Sequence, residues 1–143
     1  MKIDDRILFR GKLENRICWA EGYLVKTRDN RREVYNIIDP KVARWYIIDR
    51  RTICQSTGLR DKNGKLIFEN DIVKYHFSDK YAPIKYGLYQ NCFDSQKTGH
   101  IGFYVDWPKN INMRKDLGYW ISMVNAEVVG NIFDNPELLE MEE

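Results

Sequence analysis

The sequence predicts a mainly β fold, a small barrel or sandwich of eight to ten short antiparallel strands followed by a short C-terminal helix. Three observations lead to this prediction. Short apolar runs with two-residue alternation are separated by turn residues along the chain. The pair Asn63-Gly64 is preferred in two-residue hairpin turns of type I′, in which both residues need a positive φ. No segment keeps the apolar period of a long helix, which disfavours an α/β fold.

The first half of the chain is predicted to form a hairpin and two further short strands. Glu14-Asn15 would be the hairpin turn after the apolar run 7–9, and Gly22 would mark a bulge in the second strand. The residues of that strand expected to face the core are Ile17, Trp19, Tyr23 and Val25. Residues 26–33 are interpreted as a polar connection. The next strands are expected at 35–38 and 45–48.

The second half is predicted to begin with a tight hairpin, 57–73, that leads into a buried strand. Asn70 tolerates a positive φ in the return turn, and alternation from Ile72 onward predicts a strand with one apolar face. Further strands are expected at 84–88, 101–107, 119–121 and 127–133. The sequence Asn135-Pro136-Glu137 predicts an N-cap, a first-turn proline and an acid that begin a terminal helix over 138–142.

The length of 143 residues is that of one domain, 1–143, for which we also consider two sub-lobes, 1–56 and 57–143. Apolar residues make up 43% and charged residues 31%, a globular composition. The net charge is +2, but residues 1–65 carry 16 Lys/Arg and 9 Asp/Glu, whereas residues 66–143 carry 7 and 12. This asymmetry indicates a surface for a charged partner, lobes that attract each other or a second copy, or charges that mix on the folded surface.

The cysteines indicate a cytosolic protein. Cys18, Cys54 and Cys92 lie 36 and 38 residues apart, and an odd number at wide spacing argues against a disulfide framework and a zinc site. The first residues include acids where a signal peptide has an apolar run, and no apolar stretch approaches the ~20 residues of a membrane helix. We therefore expect a cytoplasmic protein with no membrane association.

No residue pattern predicts a catalytic, metal or cofactor site. His76 and His100 lie on the polar parity of their strands and form no ligand pattern with the cysteines. Glu69 and Asp71 are a candidate carboxylate pair, but an Asp before a strand more often accepts backbone N–H bonds. Phosphate-binding glycine motifs are also absent from the sequence. The expectation is a protein that is not an enzyme and needs no cofactor.

The best candidate site is the basic part of the polar connection, residues 26–32, which would contact nucleic acid. Its residues are Lys26, Arg28, Arg31 and Arg32, with Arg50 and Arg51 further along the chain. Guanidinium groups bind phosphates in bidentate geometry, and aromatic residues such as Trp45 or Tyr46 are candidates to stack on bases. Acids interrupt the cluster, and the isoelectric point of about 8.4 is low for a nucleic-acid-binding domain, so a solvated charged loop is the alternative.

Several short motifs occur in a fixed order along the chain. The N-terminal motifs are Arg10-Gly11-Lys12 and Gly22-Tyr23-Leu24. The central motifs are Gly58-Leu59, Asp61-Lys62-Asn63-Gly64 and Asp71-Ile72-Val73, and the C-terminal motifs are Gly130-Asn131-Ile132 and Asn135-Pro136-Glu137. This ordered set resembles the YopX family, small proteins of temperate phages and prophages of Gram-positive bacteria. One departure is Asn70, where the family usually has Gly, and the tolerance of Asn for a positive φ would preserve the turn.

The resemblance implies a mostly β fold with an SH3-like barrel element around the central motif, self-association, and no known catalytic residue. Aromatic residues on both parities of one strand, such as Phe103 and Tyr104, also fit a subunit interface. Our first expectation is therefore a phage- or prophage-derived protein of the host cytoplasm. It would act without enzymatic activity as a homo-oligomeric interaction module, with a host or phage protein as partner. The alternative expectation is nucleic-acid binding through residues 26–32.

Overall fold

The computed structural model of the protein describes residues 1–15, 17–75, 79–108 and 110–140. Within these ranges the fold is mainly β, with ten antiparallel strands and two short α-helices, which confirms the predicted fold class. The strands are β1 (Phe9–Lys12), β2 (Trp19–Asp29), β3 (Arg32–Asp39), β4 (Arg44–Ile48), β5 (Cys54–Arg60), β6 (Leu66–Phe68), β7 (Asp71–Tyr75), β8 (Lys80–Tyr89), β9 (His100–Val105) and β10 (Glu127–Asn131). The helices are α1 (Ile3–Arg6) and α2 (Leu117–Ser122), and 3-10 turns span Arg50–Thr52 and Pro136–Leu139.

The chain divides into two compact units, Met1–Gly58 and Leu59–Glu143. The first unit contains an antiparallel sheet in the strand order β4-β3-β2-β1-β5. Glu14 and Asn15 lie in the turn between β1 and β2, as predicted, and Asn15 has a φ of 62°. The end of β1 also lies beside the end of β4, because the N–H of Asp49, the residue after β4, donates to the Lys12 carbonyl at 2.9 Å.

The buried face of β2 is opposite to the one that the sequence predicted. Ala20 is 6% exposed and lies in the core, whereas Tyr23 is 40% and Ile17 is 87% exposed. The backbones of β2 and β3 approach closely at Gly22, since a Cβ there would lie 1.9 Å from the carbonyl oxygen of Ile38. The inner face of β2 begins with small residues, and the large apolar residues of the other parity therefore point outward.

The core of the first unit is built around the small residues of β1 and β2. It consists of Ala20, Ile37 and Ile48, with Phe9, Leu13, Leu24, Tyr46 and Ile53 packed against them. A Cβ on Gly11 would lie 2.4 Å from the Cγ2 atom of Ile48, so glycine makes room for that side chain. Gly22 pairs in register with Phe9, and the bulge predicted there is therefore wrong.

The second unit contains an antiparallel sheet in the order β10-β7-β8-β9. Its core residues include Ile67, Val73, Ile84, Val105, Trp107, Leu117, Trp120 and Val128. The strand predicted at 119–121 is wrong, because residues 117–122 form α2. Leu117 and Trp120, three residues apart, lie on the same side of that helix and are both buried.

The hairpin turn at Asn63-Gly64 differs from the predicted type I′ turn. Only Gly64 of this pair has a positive φ, 78°. The Gly64 N–H donates to the Asp61 carbonyl and the Asp61 N–H donates to the Lys65 carbonyl, both at 2.9 Å. These bonds define a three-residue loop in which a turn is followed by a left-handed glycine. The Asp61 carboxylate accepts N–H bonds from Asn63 and Lys65 at 2.9 and 3.0 Å, and this side chain therefore favours the longer loop.

The return turn before β7 agrees with the sequence. Asn70 has a φ of 69°, as expected for the residue in the family's glycine position. Asp71 is 1% exposed and accepts the Phe68 N–H at 2.8 Å, which confirms that its carboxylate bonds to backbone.

At the C-terminal end of the described chain, the 3-10 turn Pro136–Leu139 replaces the first residues of the predicted helix. The Asn135 amide oxygen caps no N–H of that turn, and it accepts the Asn131 N–H at 3.2 Å. Residues 141 and 142 of that prediction lie outside the described residues.

Candidate functional site

The predicted basic loop, residues 26–32, is a β-hairpin. β2 continues to Asp29 and β3 begins at Arg32, so only Asn30 and Arg31 form the turn. Their φ angles are 45° and 69°, and two consecutive positive values are what a type I′ hairpin turn requires. The sequence concealed this turn because arginine, unlike glycine or asparagine, rarely adopts a positive φ.

The hairpin separates the four basic residues of the predicted site. Lys26 and Arg28 are two residues apart on β2 and therefore share one face of the sheet. Arg32 is paired with Asp29 and lies on the opposite face, because residues that pair across strands point to the same side. Arg31 is in the turn. All four side chains are exposed, but they do not form a single basic surface.

Two of these four cations are neutralised by carboxylates. The Lys26 ammonium lies 3.2 Å from the carboxylate of Glu33, and the Arg32 guanidinium lies 3.1 Å from that of Glu14. Among the residues that the structure describes, Arg28 and Arg31 form no ion pair. The hairpin therefore offers two uncompensated arginines where the sequence predicted a cluster of four cations.

A cavity of about 570 Å³ opens in the first unit beside this hairpin. Its charged lining residues are Arg32, Arg50, Arg51, Glu14, Glu33 and Asp49. The aromatic ring in its wall belongs to Tyr35, and the guanidinium carbon of Arg50 lies 5.5 Å from the centre of that ring. The ammonium nitrogen of Lys26 lies 5.7 Å from the same ring. The fold thus brings Arg50 and Arg51, which lie further along the chain, next to the hairpin. The spacing of these residues in the sequence did not show this proximity.

One arginine of the cavity is occupied by a neighbouring carboxylate. The Arg51 guanidinium donates two hydrogen bonds to Asp49, at 3.1 and 2.8 Å, and the Arg51 backbone N–H donates a third at 3.1 Å. The side-chain hydrogen bond from Arg51, followed by the backbone one, lowers the pKa of Asp49 below its ordinary value. Asp49 thereby stays ionised and keeps Arg51 in place.

A group of apolar side chains lies on the outer side of the sheet of the first unit. Tyr23, Ile38 and Trp45 are paired across three adjacent strands, and Val25 and Ile47 lie in the next row of the same face, on either side of the buried Asn36. Tyr23 is 40%, Trp45 57% and Ile47 52% exposed. These five residues are called the outer face below. The sequence correctly predicted that Tyr23 and Val25 share one face of β2. It was wrong in predicting that this face is the buried one.

The two aromatic residues predicted to stack on bases lie on different sides of β4. Trp45 belongs to the outer face, whereas Tyr46, the next residue, packs against the core. Neither residue lines the cavity that contains Arg50, and Tyr35 is the aromatic residue of that cavity. The tertiary structure therefore does not place the predicted aromatic residues together with the predicted cations.

A second exposed apolar surface lies in the second unit, on the ribbon formed by β8 and β9. Tyr86 pairs with Phe103 and Leu88 pairs with Ile101, so these four side chains share one face. Leu88 is 73% and Ile101 76% exposed. The sequence predicted the strand, but only the fold shows that Ile101 is exposed whereas Val105, on the same parity of β9, is buried.

The remaining candidate groups form local structural contacts. The His100 imidazole lies 2.7 Å from the Asp94 carboxylate, and the Asn91 N–H donates to that same carboxylate at 2.9 Å. His76 lies outside the described residues. In the described parts of the chain, no group of three or more His, Cys, Asp or Glu side chains is arranged to hold a metal ion, and the three cysteines are free thiols. None of the described helices is long and apolar enough to span a membrane.

Comparison with known families extends over nearly the whole chain. A family model with the description "YopX protein" matches residues 9–140. No curated protein matches the sequence. The matched range covers most of both compact units and includes the hairpin of β2 and β3, the cavity and the outer face.

Proposed function

The chain belongs to the YopX family, and from this premise we propose that it is a non-enzymatic interaction module that self-associates through its outer face. We place it in the cytoplasm of the host cell as a protein of phage or prophage origin. A host or phage protein would bind the assembled form. The observation that carries the proposal is the exposure of Tyr23, Trp45 and Ile47 in one continuous face of a regular sheet.

A second copy is the occupant that fits this face best. The five side chains are all uncharged, so an identical face can pack against them without leaving a charge unpaired. Large aromatic side chains contribute about 150–250 Å² each when they are buried. Two such faces together would bury on the order of 1,000 Å², which is near the lower limit for a specific interface. The expected assembly is therefore a dimer that dissociates on dilution.

The proposal is tested by light scattering after gel filtration at several protein concentrations, in about 50 mM and about 500 mM salt. We expect a dimer that persists at the higher salt concentration, because apolar burial is not screened by salt. The double variant Trp45→Ser/Ile47→Ser should remain monomeric. The control is Leu88→Ser, which removes an even more exposed apolar side chain from the ribbon of the second unit.

The same experiment separates self-association from the alternative, nucleic-acid binding. A mixed pool of single- and double-stranded oligonucleotides is added in a parallel series. Co-elution at low salt that is lost at high salt would favour the nucleic-acid alternative. A monomeric wild-type protein at all concentrations, or a dimer unaffected by the Trp45→Ser/Ile47→Ser change, would contradict self-association through the outer face.

A further inference from the structure

We propose that the cavity between Tyr35 and Arg50 in the first unit binds a phosphate group, with Arg50 as its principal ligand. This site differs from the basic loop that the sequence predicted, because Arg50 and the ring of Tyr35 are its central groups, whereas Arg32 lines the cavity but is paired with Glu14. It adjoins the outer face, because Glu14 and Arg32 also line a second pocket that contains Trp45 and Ile47, but Tyr35 and Arg50 do not line that pocket. The inference does not rest on the proposed self-association, since its principal ligand, Arg50, is not part of the outer face.

The charge pairing in the cavity leaves Arg50 available. Each acid of the lining has its own cation: Glu14 binds Arg32, Asp49 binds Arg51, and Glu33 binds Lys26. Within the described ranges, no carboxylate forms an ion pair with Arg50. The cavity lining, counted together with Lys26, has four cations and three carboxylates. The net positive charge is therefore that of Arg50.

The position of Arg50 suits an anion with several oxygen atoms. Its guanidinium carbon lies 5.5 Å from the centre of the Tyr35 ring, a contact that restricts the side chain and leaves N–H groups for a ligand. Such a fork of donors matches the oxygens of a phosphate in bidentate geometry. Tyr35 is itself half-buried and held in β3, so the ring is a fixed support for the guanidinium.

Two further cations belong to the same hairpin, although they do not line the cavity. Arg28 is on the same face of the hairpin as Lys26 and Tyr35, and Arg31 is in the adjoining turn. Neither forms an ion pair among the described residues. The volume of about 570 Å³ lies within the range of small-molecule sites, so the cavity accommodates a phosphate together with part of the molecule that carries it.

The phosphate could belong to a free phosphate monoester, such as a mononucleotide, or to the backbone of a single-stranded nucleic acid. Both would offer the same oxygens to Arg50. The test therefore compares three probes: inorganic phosphate, a nucleoside 5′-monophosphate and a short single-stranded oligonucleotide. Binding is followed by nuclear magnetic resonance of the ¹⁵N-labelled full chain, in which the arginine Nε–H signals report contacts of individual guanidinium groups.

The decisive variants are Arg50→Gln and, as a matched control, Arg44→Gln. Both remove one exposed arginine of the first unit, but Arg44 does not line the cavity. We expect saturable binding of at least one probe and a loss of affinity of about tenfold or more in Arg50→Gln, with little change in Arg44→Gln. Thermal unfolding of both variants checks that the fold is retained.

The three probes distinguish the source of the phosphate, and the two variants distinguish binding at Arg50 from attraction by net charge. Preference for the monophosphate identifies the free ester as the ligand class, and preference for the oligonucleotide identifies the nucleic-acid backbone. Equal weakening by both substitutions would show attraction by net charge alone and would overturn the proposal. Absence of saturable binding for all three probes, or a shift that does not involve the Arg50 Nε–H signal, would overturn it as well.

Discussion

Gly22 on β2 lies against the backbone of β3 so closely that a Cβ at this position would be 1.9 Å from the carbonyl oxygen of Ile38. No real Cβ contact is that short, and the opposing atom is part of a hydrogen-bonded strand that cannot move independently. This approach leaves room only for glycine at position 22, two residues from the buried Ala20 on the inner face of β2. Tyr23 and Val25 have the other parity and lie on the opposite side, where they form part of the outer face.

The first prediction is that Gly22→Ala strongly destabilises the first unit. Relief of the overlap requires displacement of β2 from β3, which should lower the free energy of unfolding by about 2 kcal/mol or more. Gly102→Ala in β9 is the control, because a Cβ there meets no atom within 4 Å. Urea denaturation of both variants measures the difference, and equal stabilities would contradict the close approach.

The second prediction concerns the turn between β2 and β3. Arg31 has a φ of 69°, a conformation in which the Cβ of any residue other than glycine is sterically strained. Arg31→Gly removes this strain and should raise the free energy of unfolding by about 0.5–1 kcal/mol. Arg28→Gly removes the same charge from a strand position and should lower stability by a similar amount. Thermal unfolding followed by circular dichroism compares the two. Destabilisation by Arg31→Gly would mean that the turn is not type I′.

The third prediction is that Asp61 is a structural residue of the second unit. It is 6% exposed, and its carboxylate accepts N–H bonds from Asn63, Lys65 and Val128, the last at 3.0 Å. Asp61→Ala leaves these donors without their acceptor and should cost about 3 kcal/mol in denaturant unfolding. Asp79→Ala, at a side chain that is 96% exposed, should stay within about 0.5 kcal/mol of the wild-type protein.

The fourth prediction is an acid-sensitive contribution from Asp116. Burial raises the pKa of this carboxyl, but hydrogen bonds from Asn91 and Arg114 outweigh burial and hold the pKa below its ordinary value of 3.8. A lowered pKa in the folded state stabilises the protein above the unfolded-state pKa, and this stabilisation is lost as the pH falls through the folded-state value. Asp116 should therefore contribute fully at neutral pH.

Asp116→Asn provides the test of this linkage. It should reduce the free energy of unfolding by about 2 kcal/mol at pH 7 and by much less near pH 2, so its stability profile is flatter in acid. Asp79→Asn, which changes a nearly fully exposed carboxyl in the same unit, should leave the acid slope unchanged. Parallel stability profiles for Asp116→Asn and the wild-type protein would refute the assignment.

The sequence predicted the basic residues of the candidate site but not their partners. Composition identified the stretch from Lys26 to Arg32 and noted Arg50 and Arg51. The sequence could not show that Arg32 is paired with Glu14, since these residues are 18 positions apart and meet only through the fold. Nor could it show that Tyr35 supports Arg50, because that contact depends on the register of β3 with β4.

The sequence by itself determined the mainly β class, the positions of most strands, the positive φ at Asn70 and the family. These features depend on local properties: alternation of apolar residues, the conformational tolerance of Asn and Gly, and motifs in a fixed order. Only the tertiary structure decided which face of β2 is buried, because parity defines two faces but not which of them a neighbouring strand approaches. The same holds for the cavity at Arg50, whose charge depends on which carboxylates the fold brings within reach.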